Sequence, residues 1–429
     1  MKRRRRPPAT ATADPGGRRR VRWCALVLSC LVPLRAVAAP ASDQPGSDSG
    51  PPRVLTPDNS STFASLSRFT ELLDALQKYY IQPSRIRPGP NTTVALRAFV
   101  RSVDPEADLL SPEEVASTNA AAGADVGIDC AIGDDYPVII APRDDSPAQE
   151  AGLLAGEQLM AVDGKSMLHA RRVEVQQLLR GPANSPVTLR VLDPTTRATR
   201  DVRLQRAARK TPAGVVLKFL SGRIAYCRVP EFTHAAVEAL HTAMARAKEE
   251  RAPGVILDLR DNAGGKFEAA QVAASMFLPA GAPIVALDYA DPSQRTSFVS
   301  DQGEKFTAPL VLLVNGGTAA EAEMVAAALQ DHKRAQLIGS KTFGRGLLTT
   351  SVTLSDGCVL SVPTAYYRRP SNQIMHGIGV TPDIVVAVPR DTERLLAHIG
   401  FATFNWKNDK NAVLKTDLPL AKALAALAR

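Results

Sequence analysis

At 429 residues with 45% apolar content, the chain is long enough for two or three domains with buried cores, which excludes a disordered protein. Its formal charge of +9 comes from the N-terminus, because ten of the 52 Lys and Arg and one of the 43 acids, Asp14, lie in the first 38 residues. The remaining 42 basic and 42 acidic residues balance, so the sequence does not support a basic surface for DNA or RNA.

An apolar run follows the basic N-terminus. Residues 23–34 read WCALVLSCLVPL, carry no charge, and precede the small-residue pattern Ala36-Val37-Ala38. A run of this length is too short to span a bilayer as a helix but suits a secretory signal. We therefore predict a signal peptide at 1–38 and a periplasmic or extracellular protein. An uncleaved N-terminal segment that associates the protein with the membrane is the alternative, because Arg35 lies close to the cleavage site.

The cysteines and histidines predict no cofactor. Beyond the signal the chain holds Cys130, Cys227 and Cys358, an odd number at wide spacing that makes neither a disulfide framework nor a metal site. Each lies in a strand-like setting, so we expect buried free thiols. The six histidines lack the spacing of metal ligands, and we predict no metal.

The N-terminal third begins with a linker and continues with helices. Residues 39–62 are rich in Pro, Ser, Gly and Asp and predict a flexible linker. Apolar residues recur at helical spacing from Leu66 to Tyr80, a second helical segment reads TTVALRAFVRSV, and SPEEVAS has the signature of a helix start. These segments predict an N-terminal helical domain at 63–120.

Residues 121–208 change to short strands and one helix. In chain order they read DVGIDCAI, YPVIIAPR, SPAQEAGLLAGEQLMAVDGKSM, RRVEVQQLLRG, SPVTLRVLD and TRDVRLQRA. This order resembles a PDZ domain. The resemblance implies that an extended peptide joins the sheet edge. The peptide carboxylate would meet the backbone N–H groups around Val126, Gly127 and Ile128, with Val175 and Leu179 as groove wall.

Asp125 departs from the PDZ pattern. Its charge lies beside the place where the peptide carboxylate would bind, and two like charges there would weaken peptide capture. A PDZ fold that is kept for packing alone is therefore the alternative to a peptide-binding domain.

Residues 209–390 alternate strands with helices. Apolar runs such as PGVILDLRDNAGG and PLVLLVNGG are separated by helical segments such as THAAVEALHTAMARAKEERA, which Thr233 would cap. Alternation of this kind predicts an α/β domain with helices over a largely buried sheet. Residues 391–429, rich in Ala and Leu, predict a C-terminal helical tail.

Three separated segments, ILDLRDNAGG, ALQDHKRAQLIGSKTFGRG and GIGVTPDI, follow the PDZ-like part. Together they resemble the C-terminal processing peptidases, also called tail-specific proteases, and the similarity runs from the first helical segment to about Val386. The resemblance implies an α/β fold: a tail-specific-protease-like core with an inserted PDZ-like domain and an N-terminal helical domain. It also implies Ser-Lys catalysis without a cofactor.

The positions that carry catalysis in that family are substituted here. The family's motifs are Ser-Ala-Ser-Ala-Ser-Glu and Lys-Thr-Phe-Gly-Lys-Gly. When this sequence is aligned with those motifs, Ala320 takes the place of the middle serine, which is the nucleophile, and Arg345 takes the place of the second lysine, which is the base. Thr349 takes the place of the glutamine that holds the lysine. Ala320 cannot form an acyl-enzyme, and a guanidinium stays protonated where a catalytic lysine needs a pKa of about 7 to 8. Losing a serine nucleophile alone costs on the order of 10⁶ in turnover.

Thr318 is the one hydroxyl in the turn GGTAAEAEM. With Glu321 three residues later it matches a capping box, so we interpret Thr318 as the cap of the next helix and not as a nucleophile. In the family, the N–H after the serine and an N–H of a glycine pair, here Gly264-Gly265, bind the oxyanion. A carboxylate at Glu321 would repel the charge that an oxyanion hole stabilises.

The sequence thus predicts an exported homologue of C-terminal processing serine peptidases that binds peptides or proteins without cleaving them. Its expected partners are C-termini or extended segments, with an active peptidase or an envelope protein as the source, and not nucleic acid. The alternative is an active serine-type endopeptidase that uses non-standard groups such as Thr318 or Lys341.

Overall fold

The computed structural model describes residues 59–119, 123–208, 214–301, 303, 305–401 and 406–428. The predicted signal peptide at 1–38 lies outside the described residues, as does most of the predicted linker. The chain divides into two compact units, residues 1–75 and 76–429. None of the described helices is long and apolar enough to cross a membrane.

Of the first unit the structure describes residues 59–75, which belong to helix α1 (Asn59–Tyr79). This helix starts inside the segment that the composition predicted as linker. Pro57 is the last proline before it, and the apolar residues at helical spacing already begin at Phe63. Most side chains of α1 from Phe63 onward are exposed.

After the end of α1, the second unit continues with two further helices, which the sequence predicted, and one strand, which it did not. Their bounds are α2 (Pro88–Val103), β1 (Asp108–Leu110) and α3 (Pro112–Asn119). Strand β1 pairs antiparallel with residues 359–361, so this helical part is tied to the peptidase-like core by a backbone ladder.

A six-stranded antiparallel sheet forms most of the PDZ-like part, in the order β3-β4-β5-β7-β8 with β6 on β5. The Pro-Ala-x-x-Ala-Gly segment forms a short helix, α4, which Ser146 caps by accepting from the N–H of Gln149 at 3.2 Å. The bounds are β2 (Ala124–Asp125), β3 (Ile128–Ala131), β4 (Val138–Pro142), α4 (Pro147–Glu150), β5 (Gln158–Val162), β6 (Lys165–Ser166), α5 (Arg172–Leu179), β7 (Pro186–Leu192), β8 (Thr199–Gln205) and β9 (Ala207–Ala208).

The peptidase-like core holds two sheets. The first is six-stranded, in the order β10-β11-β12-β15-β16-β19, and is parallel except for the pair β10-β11. The second is antiparallel, in the order β1-β18-β13-β14, with β17 on β18. The bounds are β10 (Val216–Phe219), β11 (Ala225–Arg228), α6 (His234–Glu249), β12 (Val255–Asp258), α7 (Phe267–Ser275), β13 (Pro283–Tyr289), β14 (Thr296–Val299), β15 (Leu310–Val314), α8 (Glu321–Asp331), β16 (Gln336–Gly339), β17 (Leu347–Thr353), β18 (Val359–Arg368), β19 (Ile384–Val385), α9 (Arg390–Ile399), α10 (Trp406–Thr416) and α11 (Leu418–Leu427).

Helices cover both faces of the parallel sheet. One face packs on α6, α7 and α8, as the alternating pattern predicted. The other packs on α11, whose Leu420 and Ala423 are fully buried against Ile256 and Leu313. The segment predicted as a C-terminal tail therefore supplies a layer of the core.

The predicted α/β fold with a PDZ-like part and N-terminal helices is confirmed. The prediction of buried thiols holds fully for one of three cysteines. Cys227 is buried, whereas Cys130 and Cys358 are half-buried, and all three are free thiols.

Candidate active site and peptide groove

The turn that precedes α8 keeps a strained backbone. Strand β15 ends at Val314, and Ala320, the last residue before α8, has φ 50° and ψ −119°. A residue with a Cβ adopts this conformation only at a cost of about 1–3 kcal/mol, and such strain is typical of a nucleophile position. The alanine that matches the family's serine therefore holds a strained geometry without a reactive side chain.

Thr318 does not cap the helix, so the predicted capping box is wrong. Its buried hydroxyl donates to the carbonyl of Leu259 at 2.8 Å and accepts from the N–H of Asn315 at 3.1 Å. The helix begins at Glu321, and the N–H of Ala320 donates to Glu323 at 3.1 Å. Ala320 has no side chain that could cap the helix, so only the Glu323 half of a capping box is formed, and Thr318 fastens the turn to the loop that follows β12.

Glu321 reaches across to the glycine pair. Its Oε2 accepts from the N–H of Gly265 at 3.0 Å, and its Oε1 accepts from the hydroxyl of Tyr367 at 3.0 Å. Gly264, at φ 110°, lies so close that a Cβ on it would stand 3.0 Å from the Cβ of Ala320. The structure thus brings together Gly264, Gly265 and Glu321, the three residues predicted as an oxyanion-hole remnant.

Glu323 fixes the segment that carries Arg345. Its buried carboxylate accepts from the N–H groups of Gly344 at 2.7 Å and Arg345 at 2.8 Å and from the hydroxyl of Thr342. Burial raises the pKa of Glu323, and the hydrogen bonds oppose that shift. One carboxylate therefore sets both the start of α8 and the path of the following motif.

Arg345 points to the N-terminal helical part. Its Nη2 pairs with Glu106 Oε2 at 3.0 Å, and Arg172 at the start of α5 pairs with the same carboxylate oxygen. Burial and the neighbouring charge of Arg345 lower the pKa of Arg172. Glu106 thus joins three parts of the second unit, and sequence reasoning missed it because DPEADLL carries no chemical motif.

Thr349 lies on β17, away from these interactions. It stands opposite Pro363 in the β17-β18 pair, and its exposed side chain makes no hydrogen bond to any residue that the structure describes. The structure does not show Thr349 holding Arg345, as a glutamine would hold a lysine.

The PDZ-like groove contains its own carboxylate. Asp125 Oδ1 accepts from the N–H of Gly127 at 2.9 Å, and its other oxygen pairs with Arg143. Arg143 also pairs with Asp129 at 3.1 Å. Gly127 has φ 79° and packs on Ser146, so no residue with a Cβ fits there.

The apolar residues predicted for the groove wall are part of the core of the PDZ-like domain. Val126 is fully buried, and Ile128, Val175 and Leu179 are at most 8% exposed. All four residues and Gly127 still line a cavity of about 370 Å³. The same cavity is lined by Gly264, Gly265 and Arg345, so it runs from the predicted peptide groove to the glycine pair.

Ion pairs hold the PDZ-like part against the core. Arg228 of β11, 1% exposed, makes a bidentate pair with Asp144 at 2.7 and 2.9 Å. On another side Arg390 of α9 pairs with Asp193 at 3.1 Å. Apolar residues of β3 and β4 also pack on Ala319 of the turn. The two ends of the cavity are therefore held at a fixed separation.

Comparisons with known proteins place these features in a family. Residues 223–386 match Peptidase family S41, and residues 138–193 match the PDZ domain. A carboxy-terminal-processing protease of Bartonella bacilliformis is 31% identical over 346 residues, which cover 78% of this chain and 78% of that protein. A carboxyl-terminal-processing protease of Synechocystis sp. is 33% identical over 323 residues, which cover 73% and 74%. The solved photosystem II D1 C-terminal processing protease superposes with a TM-score of 0.66 at 27% identity, covering 78% of this chain and 97% of that one.

Proposed function

The chain belongs to peptidase family S41, and on that premise we propose that it is a non-catalytic member that binds peptide or protein C-termini and extended segments. The proposal rests on one observation above others. The carboxylate of Glu321 accepts a hydrogen bond from the N–H of Gly265, and the adjacent Ala320 has no atom that could attack a carbonyl.

An oxyanion hole works by offering donors to a developing negative charge. Here the Gly265 N–H already faces a carboxylate, and Tyr367 holds that carboxylate in place from its other oxygen. A tetrahedral intermediate in this position would lose a donor and would stand beside a fixed negative charge. Both effects raise the barrier to acyl transfer.

Arg345 gives a second reason. A general base must accept a proton, and a guanidinium does not do so at any working pH. In addition its side chain is engaged with Glu106 at 3.0 Å. Neither the nucleophile position nor the base position supplies the chemistry of a Ser-Lys peptidase.

Binding is supported by the cavity. Its volume of about 370 Å³ is within the range of ligand pockets, and its lining includes both the predicted carboxylate-binding loop at Gly127 and the glycine pair. A peptide C-terminus would displace Asp125 from the Gly127 N–H and take over Arg143 as its counter-charge. The partner would be a polypeptide of the cell envelope if the protein is exported as predicted.

Serine-reactive probes test the catalytic half of the proposal. Wild type is expected to stay unlabelled, and so is Ala320→Ser alone, because Arg345 would leave the new hydroxyl protonated. The combination of Ala320→Ser, Arg345→Lys, Thr349→Gln and Glu321→Ala restores nucleophile, base, orienting group and free donor, and we expect labelling and weak cleavage of unfolded casein. Wild-type labelling that disappears in Thr318→Ala would overturn the proposal and establish the active endopeptidase.

Calorimetry with matched peptides tests the binding half. A peptide with a free C-terminal carboxylate is expected to bind with micromolar affinity, roughly −8 kcal/mol, and its amidated form at least about tenfold more weakly. Equal affinities for the acid and the amide would show that the carboxylate loop is not used. Absence of binding by either peptide would favour a PDZ fold kept for packing.

Export is a separate part of the proposal. N-terminal sequencing of the protein isolated from its native cells is expected to give a start near Ala39. Recovery of the arginine tract on the mature protein would instead favour the uncleaved segment.

A further inference from the structure

A second cavity lies at the carboxyl ends of three neighbouring parallel strands. Its volume is about 220 Å³, and its lining includes Asp261 after β12, Asn315 after β15 and Ser340 after β16. Residues of α9 and Phe401 also line it. Among the described lining residues, only Asp261 is shared with the 370 Å³ cavity. The crevice beyond such strand ends is a common ligand site in α/β proteins.

Much of the lining of this second cavity is apolar. Val314, Val386 and Phe401 are at most 8% exposed, and Leu396 of α9 is half-buried. A ligand with an apolar body would therefore bury surface against these side chains. The volume is below the roughly 300 Å³ at which pockets for drug-sized ligands begin, so the cavity fits a molecule of fragment size.

The arginines of this lining do not offer a site for an anion. Each of the two is held by two carboxylates at distances of 2.6 to 3.1 Å. The pairs are Arg260 with Asp258 and Asp417, and Arg390 with Asp193 and Glu393. An anionic ligand would have to compete with these carboxylates for the guanidinium donors.

Asp261 has one carboxylate oxygen without a protein partner. Its Oδ1 accepts from the side-chain amide of Asn315 at 2.8 Å, and its backbone N–H donates to Asn315 Oδ1 at 2.8 Å. Its Oδ2 forms no hydrogen bond or ion pair with any residue that the structure describes. Burial raises the pKa of Asp261 to about 6, so at pH 8 the carboxylate is ionised and no described cation pairs with it.

We propose that the second cavity binds a small primary amine with an apolar body, whose ammonium group pairs with Asp261. The ammonium supplies the counter-charge that Asp261 lacks, and the apolar body packs on Val314, Val386 and Leu396. A charge-assisted hydrogen bond is stronger than a neutral one, so an alcohol of the same shape binds more weakly. This binding is independent of whether the protein cleaves peptides or only binds them.

An NMR titration that observes the ligand at pH 8 tests the proposal with phenethylamine and phenethyl alcohol. The two probes have nearly the same shape, and only the amine is charged. The amine is expected to bind with a dissociation constant on the order of 1 mM, as for a good ligand of this size, and the alcohol at least about tenfold more weakly. No binding of the amine up to about 10 mM, or equal affinities of the two probes, would overturn the proposal.

Variants locate the site of the amine. Asp261→Asn should weaken the amine at least about tenfold and leave the alcohol unchanged, and the exposed Asp291→Asn is its control. Leu396→Trp fills the cavity and should weaken both probes, whereas Leu395→Trp, at the neighbouring 47% exposed position of α9, should weaken neither. Full amine affinity in a folded Leu396→Trp would place the amine in the peptide groove and contradict the proposal. Full affinity in Asp261→Asn would contradict it whether or not Leu396→Trp folds.

Discussion

At each of the two ends of the 370 Å³ cavity, a carboxylate of the protein accepts a hydrogen bond from a backbone N–H, but the two carboxylates differ in their second contact. At the PDZ-like end, Asp125 accepts from the backbone N–H of Gly127 at 2.9 Å. At the other end, Glu321 accepts from the backbone N–H of Gly265 at 3.0 Å. Each internal carboxylate thus occupies a donor that, by resemblance to the family, would meet an anionic group of a ligand.

The difference lies in the second contact of each carboxylate. Asp125 pairs with Arg143, a cation that would remain to receive an incoming carboxylate if Asp125 swung away. Glu321 is held by the hydroxyl of the buried Tyr367, whose pKa is raised by burial and by the charge of Glu321. The neutral hydroxyl of Tyr367 would not balance the charge of an incoming anion, as the guanidinium of Arg143 would. The first carboxylate is therefore exchangeable and the second is fixed.

Both carboxylates line or border one cavity only while the PDZ-like part stays attached to the core. The largest expected effect is therefore at the ion pair between Arg228 and Asp144, which joins the two parts. Asp144→Ala removes the bidentate acceptor of the buried Arg228 and leaves its guanidinium with the carbonyl of Arg260 and a longer contact of 3.7 Å to Asp258. We expect a loss of about 3 kcal/mol in the free energy of unfolding, measured by chemical denaturation.

Asp201→Ala is the matched control for Asp144→Ala. Asp201 also forms a bidentate pair, with Arg190, but that pair is exposed on the surface of the PDZ-like sheet. We expect little or no change, because exposed ion pairs are screened. Equal losses in the two variants would mean that the PDZ-like part is not held through Asp144.

The next prediction compares the two carboxylates by stability. Glu321→Ala leaves the hydroxyl of Tyr367 buried without an acceptor, and we expect a loss of about 1–2 kcal/mol by thermal or chemical denaturation. Asp125→Ala should cost clearly less, because Arg143 is 21% exposed and keeps its ion pair with Asp129. A larger loss for Asp125→Ala would reverse the assignment of fixed and exchangeable ends.

Sequence patterns were sufficient for the parts of the fold that are local. The glycine pair after β12, the SPAQEAG segment and the buried runs of β11 and β15 are each visible within about ten residues. They predicted the α/β core, the PDZ-like part and which residues approach the turn. Gly264, Gly265 and Glu321 are together because two such local motifs end at the same sheet edge.

Long-range contacts were not predictable in the same way. Tyr367 is 46 residues from Glu321, and Arg345 is 239 residues from Glu106. The three residues of β1 carry no strand signal of their own, since they are defined by pairing with β18. The capping-box interpretation failed because the carbonyl of Leu259, 59 residues away, competes for Thr318. Local sequence patterns predict helices, strands and turns, whereas the hydrogen-bond partner of a polar side chain depends on which distant residues pack against it.

A smaller effect is expected on peptide affinity at the PDZ-like end of the cavity, where Asp125 is exchangeable. Asp125→Gly frees the N–H of Gly127 and the guanidinium of Arg143, so a peptide with a free carboxylate should bind about tenfold more tightly by calorimetry. The amidated peptide should not gain. Glu321→Ala should leave the affinity unchanged. Equal gains for acid and amide would show that Asp125 does not compete with the peptide carboxylate.

The smallest prediction concerns Asp261, which lines the cavity between the two ends. Burial raises the pKa of Asp261 to about 6, although Asn315 donates to it at 2.8 Å. A carboxyl whose pKa is higher in the folded state than its unfolded value of about 3.9 stabilises the fold when protonated, and this contribution is lost as the pH rises through 6. Asp261→Asn should therefore be more stable than wild type by about 1 kcal/mol at pH 8, since partial exposure reduces the full shift. The difference should vanish near pH 4 in thermal melts.

Asp291→Asn is the control, because hydrogen bonds from Ser293 lower the pKa of that exposed carboxyl and no gain at pH 8 is expected. A pH-independent difference, or a loss at pH 8, would mean that the pKa of Asp261 is not raised in the folded protein.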